Sequence, residues 1–179
     1  MTNTLQIKLL SDNATLPTRN HSTDAGFDIY AAETVVLEPQ EKALIATDIA
    51  VNIPKGYVGL LTSRSGVSSK THLVIETGKI DAGFQGHMQI NIKNDYINLE
   101  EYDEAKIDTN YGDVMYPIYN VDGQAYYDKI YDNPVYKINK GDRLAQLVIV
   151  PIITPELEQV EEFDSESARG EKGFGSSGI

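Results

Sequence analysis

Apolar and polar residues alternate along this chain with the two-residue period of β-strands, in short runs divided by turn signals. Leu5-Gln6-Ile7-Lys8-Leu9 alternates strictly, and residues 34–37, 43–46, 57–61 and 87–92 add short β-branched or apolar runs. Asn133-Pro134 opens a run at 135–138, and a longer one at 143–150 ends at Pro151. Pro39, Pro54-Lys55-Gly56, Gly78 and Lys140-Gly141-Asp142 stand between them as punctuation. Helical periodicity is scarce, with a turn or two over 65–70, started by Ser63 or Ser65, as the exception. Many short strands with regular turns predict an all-β barrel or sandwich.

One stretch breaks the rhythm. Residues 95–136 hold nine of the eleven tyrosines, and ten acids fall between Asp95 and Asp132 against only Lys106 and Lys129. Aromatics this dense bury or bind rather than solvate a disordered tail. Asn94-Asp95, Gly112-Asp113, Asp122-Gly123 and Asn133-Pro134 supply turns. The stretch predicts an inserted small subdomain of short hairpins over 95–135, with one short helix near 99–107.

Length and charge narrow the possibilities. At 179 residues the chain suits one elaborated domain. No apolar stretch approaches the ~20 residues of a membrane span, and the first six residues lack the basic and apolar regions of a secretion signal. There is no cysteine, so thiolate metal sites and thiol nucleophiles are excluded, and the expected compartment is the cytoplasm. A net charge of −12 argues against a polynucleotide partner but not against a small phosphorylated ligand carrying a divalent cation.

Five polar clusters fall at or between the predicted strands. In Asp24-Ala25-Gly26-Phe27-Asp28-Ile29 two acids flank a glycine at a strand start, which suits an Asx-turn as well as a site. Thr62-Ser63-Arg64-Ser65-Gly66-Val67-Ser68-Ser69-Lys70 is rich in hydroxyls and backbone donors suited to anions, or else is an ordinary helix cap. Gly78-Lys79-Ile80-Asp81-Ala82-Gly83-Phe84-Gln85-Gly86 offers an acid able to activate water, or a plain turn. Gln146 in Gly141-Asp142-Arg143-Leu144-Ala145-Gln146-Leu147 is an amide inside an apolar strand and demands a partner, backbone or ligand. The fifth, Arg169-Gly170-Glu171-Lys172-Gly173-Phe174-Gly175-Ser176-Ser177-Gly178, combines converging backbone donors, a guanidinium and one aromatic ring, and also suits a solvating end. No Gly-Lys-Ser/Thr phosphate loop, Gly-x-Ser-x-Gly elbow or His-based zinc spacing is present.

In this order the clusters resemble the five motifs of the homotrimeric dUTPase family, over nearly the whole chain apart from the insertion. Placement of the insertion between the third and fourth motifs resembles that in dUTPases of staphylococcal phages, which would put the protein in a host bacterial cytoplasm. The resemblance implies a jelly-roll-like β-barrel over 1–164, interrupted by 95–135, and a flexible glycine-rich arm over 165–179. It also implies a homotrimer with active sites between subunits, hydrolysing dUTP to dUMP and pyrophosphate with Mg²⁺.

Asp81 would then deprotonate the attacking water. Ser65, Gly66 and Gln146 would hold phosphates, and Arg64 would assist. Asp28 would meet Mg²⁺ through water, the ion being held chiefly by the triphosphate. Gly78, Lys79 and Ile80 would read uracil and sugar largely by backbone. Arg169 would meet the γ-phosphate, Phe174 would stack on uracil, and Gly175, Ser176 and Ser177 would add donors. Phe84 stands where the family usually has tyrosine; its ring would pack under deoxyribose and exclude a 2′-hydroxyl, without a phenolic bond. A dCTP deaminase on the same fold is disfavoured, since it typically continues Arg-Ser-Ser where this chain has Arg64-Ser65-Gly66. The acidic, tyrosine-rich insertion suits docking of a regulatory protein.

Overall fold

A computed structural model describes residues 4–97, 106, 107, 112, 114–167 and 170. Three four-stranded sheets and one two-stranded ribbon account for the described strands. The first sheet runs β1 (Gln6–Leu9), β4 (Lys42–Asn52), β8 (Met88–Asn94), β6 (Leu73–Ile75). The second runs β2 (Gly26–Tyr30), β14 (Arg143–Pro151), β5 (Tyr57–Ser63), β7 (Gly78–Ile80). The third runs β12 (Ala125–Tyr126), β11 (Ile118–Tyr119), β13 (Val135–Ile138), β3 (Val35–Leu37). The predicted all-β class holds. So does the helical turn predicted over 65–70, which is α1 at Ser65–Lys70.

Alternation does the folding work. On β8, Met88, Ile90, Ile92 and Asn94 point inward and the residues between them outward. Ile29, Leu37, Ile45, Ile90, Ile138, Leu144 and Leu147 are all fully buried and join one core drawn from the three large sheets. Among the described residues no helix is long and apolar enough to cross a membrane.

Two bulges interrupt the strands. In β4 the register against β8 slips between Ala46 and Ile49, and Asp48 takes φ 52 there. Three partners hold that left-handed residue. Ser11 Oγ donates to Asp48 Oδ2 at 2.5 Å, the Asp48 amide donates to His87 Nε2 at 3.0 Å, and the Leu10 amide donates to its carbonyl at 2.8 Å. The bulge ends the alternation seen over 43–46, which is why the sequence did not carry β4 on to Asn52. The other bulge shapes the site.

The second half of the insertion is woven into the third sheet. β11 lies parallel to β13, and Ile118 and Val135 are fully buried. The Tyr119 ring packs between those of Tyr96 and Tyr136, and the Tyr136 hydroxyl accepts the His72 amide at 3.0 Å. Between β11 and β12 the Asn120 side-chain oxygen accepts the Asp122 and Gln124 amides, an Asx-type turn. Gly123 closes this turn at φ 77, with space for a Cβ blocked by the Lys70 carbonyl oxygen at 2.2 Å. The insertion thus rests on the C-terminal end of α1. The helix expected near 99–107 is corrected at its end: Lys106–Ile107 form strand β9, paired with β10 (Val114–Met115), with β-branched Ile107 and Val114 in register. Residues 98–105 lie outside the described residues.

Candidate active site

Asp28 is the centre of the first group. It sits mid-strand in β2, only 5% exposed, opposite Gln146 on β14, and Gln146 in turn stands opposite Thr62 on β5. Its Oδ1 accepts Arg64 Nε at 2.9 Å and Gln146 Nε2 at 3.4 Å, and its Oδ2 accepts Arg143 Nη1 at 3.3 Å. Two guanidinium groups and an amide thus keep a buried carboxylate from being orphaned. Arg64 is fixed further, its Nη1 donating to the Arg143 carbonyl at 3.3 Å and its amide to the Leu144 carbonyl at 3.3 Å.

Sequence reasoning gave Arg143 no role, and the reason is geometric. Residues 143 and 146 are three apart and in a regular strand point to opposite faces. In β14 the register against β2 slips between Arg143 and Ala145, so Arg143 pairs Tyr30 while Ala145 already pairs Ile29. That bulge lets both side chains reach one carboxylate. A charged residue beside the glycine turn of a long apolar strand was the available signal.

From Arg64 the chain enters α1. No side chain caps the helix and no acid lies in its first turn, so its leading amides face outward without an intrahelical acceptor. A Cβ on Gly66 would meet nothing within 4 Å, which leaves room for a ligand to reach the backbone. Val67 is the helix's buried anchor, and Thr71 ends it by donating both its amide and hydroxyl to the Val67 carbonyl. The turn before Arg143 is closed by the Asn139 amide donating to Asp142 Oδ2 at 2.7 Å. Burial pushes the Asp142 carboxyl up despite that bond.

The second group lies on and after β7. Gly78 pairs Leu61, Lys79 pairs Leu60 and Ile80 pairs Gly59, so β7 walks away from Ser63 as it advances. Ile80 turns its side chain to the core beside Gly59, leaving backbone to face a ligand, while Lys79 is exposed. Asp81 then leaves the sheet beyond the level of Gly59, four residues or roughly 13 Å of strand from Ser63. A tight turn follows: the Phe84 amide donates to the Asp81 carbonyl at 3.1 Å, with Gly83 at φ 95. Asp81 is exposed, and among the described residues its carboxylate makes no hydrogen bond or ion pair.

Asp28, Arg64, Ser65, Gly66 and Gln146 therefore cluster at one end of the second sheet. Gly78 stands opposite Leu61, one residue from the Gln146–Thr62 pair, and Lys79, Ile80 and Asp81 step away from that end towards the turn that carries Phe84. Arg169, Phe174, Gly175, Ser176 and Ser177 lie outside the described residues. Among the described residues no group of three or more His, Asp or Glu side chains can hold a metal. Asp28 has about four acceptor positions, of which three are taken, so it can reach a hydrated ion through no more than one water. That donor set fits an ion carried in on substrate phosphates, not one bound by protein alone.

A family model described as dUTPase matches residues 12–103 and 131–178 and passes over the middle of the insertion. The deoxyuridine 5'-triphosphate nucleotidohydrolase of Mycobacterium marinum is 36% identical over 184 residues, covering 99% of this chain and 97% of its own length. A solved structure of Staphylococcus bacteriophage 80alpha dUTPase with dUpNHpp is 64% identical with a TM-score of 0.85, covering 99% of this chain and all of that one. It is described as one of the phage dUTPases that control transfer of virulence genes by a proto-oncogenic G protein-like mechanism. A mutant dUTPase from phage phi11 of S. aureus, 62% identical with a TM-score of 0.80 over 91% of this chain and 100% of that one, reveals how a structural Mg(II) ion is coordinated.

Proposed function

The chain belongs to the dUTPase family and hydrolyses dUTP with Mg²⁺ as cofactor, and on that premise we propose which of its residues do the work. One observation carries the assignment. Of the four acids in the first four motifs, Asp28 is sealed under two arginines, Asp24 accepts the His21 amide and Asp142 accepts the Asn139 amide. Asp81 is left exposed and unengaged among the described residues.

Asp81 takes a proton from a water molecule, whose oxygen bonds to the α-phosphorus as the bridge to the β-phosphate breaks and pyrophosphate leaves. When bound, Mg²⁺ would neutralise negative charge on the triphosphate and on the pyrophosphate that leaves it. The leading amides of α1 at Ser65 and Gly66, with Gln146, hold phosphate oxygens. Arg64, pre-aimed by Asp28, stabilises the charge that develops on them. Asp28 acts chiefly as the strut for Arg64, Arg143 and Gln146, with one acceptor position left for water on the ion. Gly78, Lys79 and Ile80 present backbone to uracil, and the Phe84 ring lies under the sugar. Arg169 meets the γ-phosphate, Phe174 stacks on uracil, and Gly175, Ser176 and Ser177 add donors.

Because the base and the phosphate-binding group stand apart along one sheet, we place each complete site between copies of the chain in a homotrimer. The arm is tested by truncation. Among the described residues every strand ends by Pro151, and residues 152–167 are exposed, so a chain of residues 1–164 should melt like the full protein. Its pyrophosphate release should fall at least about 100-fold, since the closing contacts that orient substrate are gone. Undiminished release would remove Arg169 and Phe174 from the site.

A second reading, that the insertion also docks a regulatory protein, is favoured by its seat against Lys70 at the end of α1 and by the regulatory role stated for the 80alpha dUTPase. A partner held there could sense α1, and with it Arg64, through packed contacts. Deleting the whole insertion would remove buried Ile118, so surface changes are the cleaner test. Asp122→Lys, Asp128→Lys and Ile130→Asp together alter exposed positions. The triple variant should turn over dUTP normally and lose proteins that the parent retains from a bacterial lysate; equal retention would refute the docking role.

A further inference from the structure

Two glycines flank the Phe84 ring, for different reasons. Gly83 sits at φ 95, where a side chain is strained, and a Cβ there would meet nothing within 4 Å. Gly86 is outside the left-handed region, so any residue could adopt its backbone. What forbids a side chain is space: a Cβ on Gly86 would lie 2.8 Å from Phe84 Cζ and 2.9 Å from Cε2, against 3.4 Å or more in ordinary contact. The Cζ–Cε2 edge of the ring therefore occupies the space that a side chain at 86 would need. Phe84 is nonetheless 46% exposed.

The rest of the turn is tied down independently. Gln85 Nε2 donates to Asn52 Oδ1 at 3.0 Å, and Asn52 Nδ2 donates to Gln6 Oε1 at 2.8 Å, linking the turn to β4 and β1. With its amide also bonded to the Asp81 carbonyl, the backbone of Phe84 is held and its ring is the part free to move. A phenylalanine has no hydroxyl to anchor it.

We propose that Gly86 is a specificity-determining position of this enzyme: by leaving the space under Phe84 empty, it sets the height of the ring at the sugar and hence the discrimination between dUTP and UTP. The inference rests on the assignment of Phe84 to the sugar made above. A methyl group at 86 displaces the ring, because the far end of a side chain yields before a tied backbone. Raised toward the substrate, the ring obstructs deoxyribose, which fits, more than ribose, which is already excluded. Swung aside, it admits ribose. Selectivity falls either way.

The experiment compares kcat/KM for dUTP and UTP in Gly86→Ala, Phe84→Ala and the double variant, with melting curves for each. Gly86→Ala should lower the dUTP:UTP ratio by about tenfold while its melting temperature stays within about 3 °C of the parent. In the Phe84→Ala background the same alanine should leave the ratio unchanged, because no ring remains to move. A ratio unaffected by Gly86→Ala, alongside a fall in Phe84→Ala, overturns the inference and leaves the Phe84 assignment standing. A ratio unaffected by Phe84→Ala removes that assignment and the inference with it. An equal fall from Gly86→Ala with or without the ring overturns the inference, since the effect then bypasses Phe84. Should Gly86→Ala not fold, the ring does not yield to the added methyl group and the inference is overturned, whether or not the double variant folds.

Discussion

Asp81→Asn should lower kcat for dUTP by about 10³-fold, the range expected when a positioned general base is lost, with little change in nucleotide affinity or melting temperature. The side chain is exposed and engages no neighbour among the described residues, so its replacement removes proton-accepting capacity without disturbing packing. The isosteric amide keeps the turn, whose closing bond runs from the Phe84 amide to the Asp81 backbone carbonyl. Asp28→Asn provides the contrast. There the charge opposing Arg64 and Arg143 disappears from a buried position, so stability falls together with activity. Pyrophosphate release, equilibrium binding of a non-hydrolysable dUTP analogue, and thermal melts on both variants separate the two roles. A turnover in Asp81→Asn above about a tenth of the parent's would assign the base elsewhere.

The contrast between these two aspartates also shows where the sequence stops being informative. Both stand beside glycines in short apolar contexts, and local patterning treats them alike. What distinguishes them is pairing across strands distant in sequence: Asp28 meets donors from residues 64, 143 and 146, whereas Asp81 leaves the sheet past the last pair of β7. Strand positions were legible because burial of one face imposes a period of two, as on β8. Bulges were not, because nothing in Thr47-Asp48 or Arg143-Leu144 announces that register will slip there. The missed role of Arg143 and the missed extension of β4 both follow from that. α1 was legible through its dense hydroxyls after a strand end, and the Gly123 turn through Asp122-Gly123. Its docking against Lys70 was a tertiary fact that local signals do not encode.

β7 is antiparallel to β5, so each step from Gly78 to Ile80 carries the chain further from Arg64, and Asp81 continues in that direction. A water molecule activated by Asp81 cannot be delivered to a phosphate held at Ser65 of the same chain over such a span, because proton transfer requires hydrogen-bond contact. If both groups serve one site, they belong to different copies. Homo-oligomers of Asp81→Asn alone and of Arg64→Ala alone should therefore each be nearly inactive. When the two variants are mixed, unfolded and refolded together, some sites receive Asp81 from one chain and Arg64 from the other. For an equal mixture in which neighbours associate at random, roughly a quarter of sites are intact, and pyrophosphate release should recover towards that fraction of the parent rate. Mixing without unfolding should restore nothing, which separates shared sites from impurity in either preparation. Recovery absent after co-refolding, in mixtures whose melting curves match the parent, would confine Asp81 and Arg64 to one chain and require the β7 turn to fold back across the sheet when substrate binds.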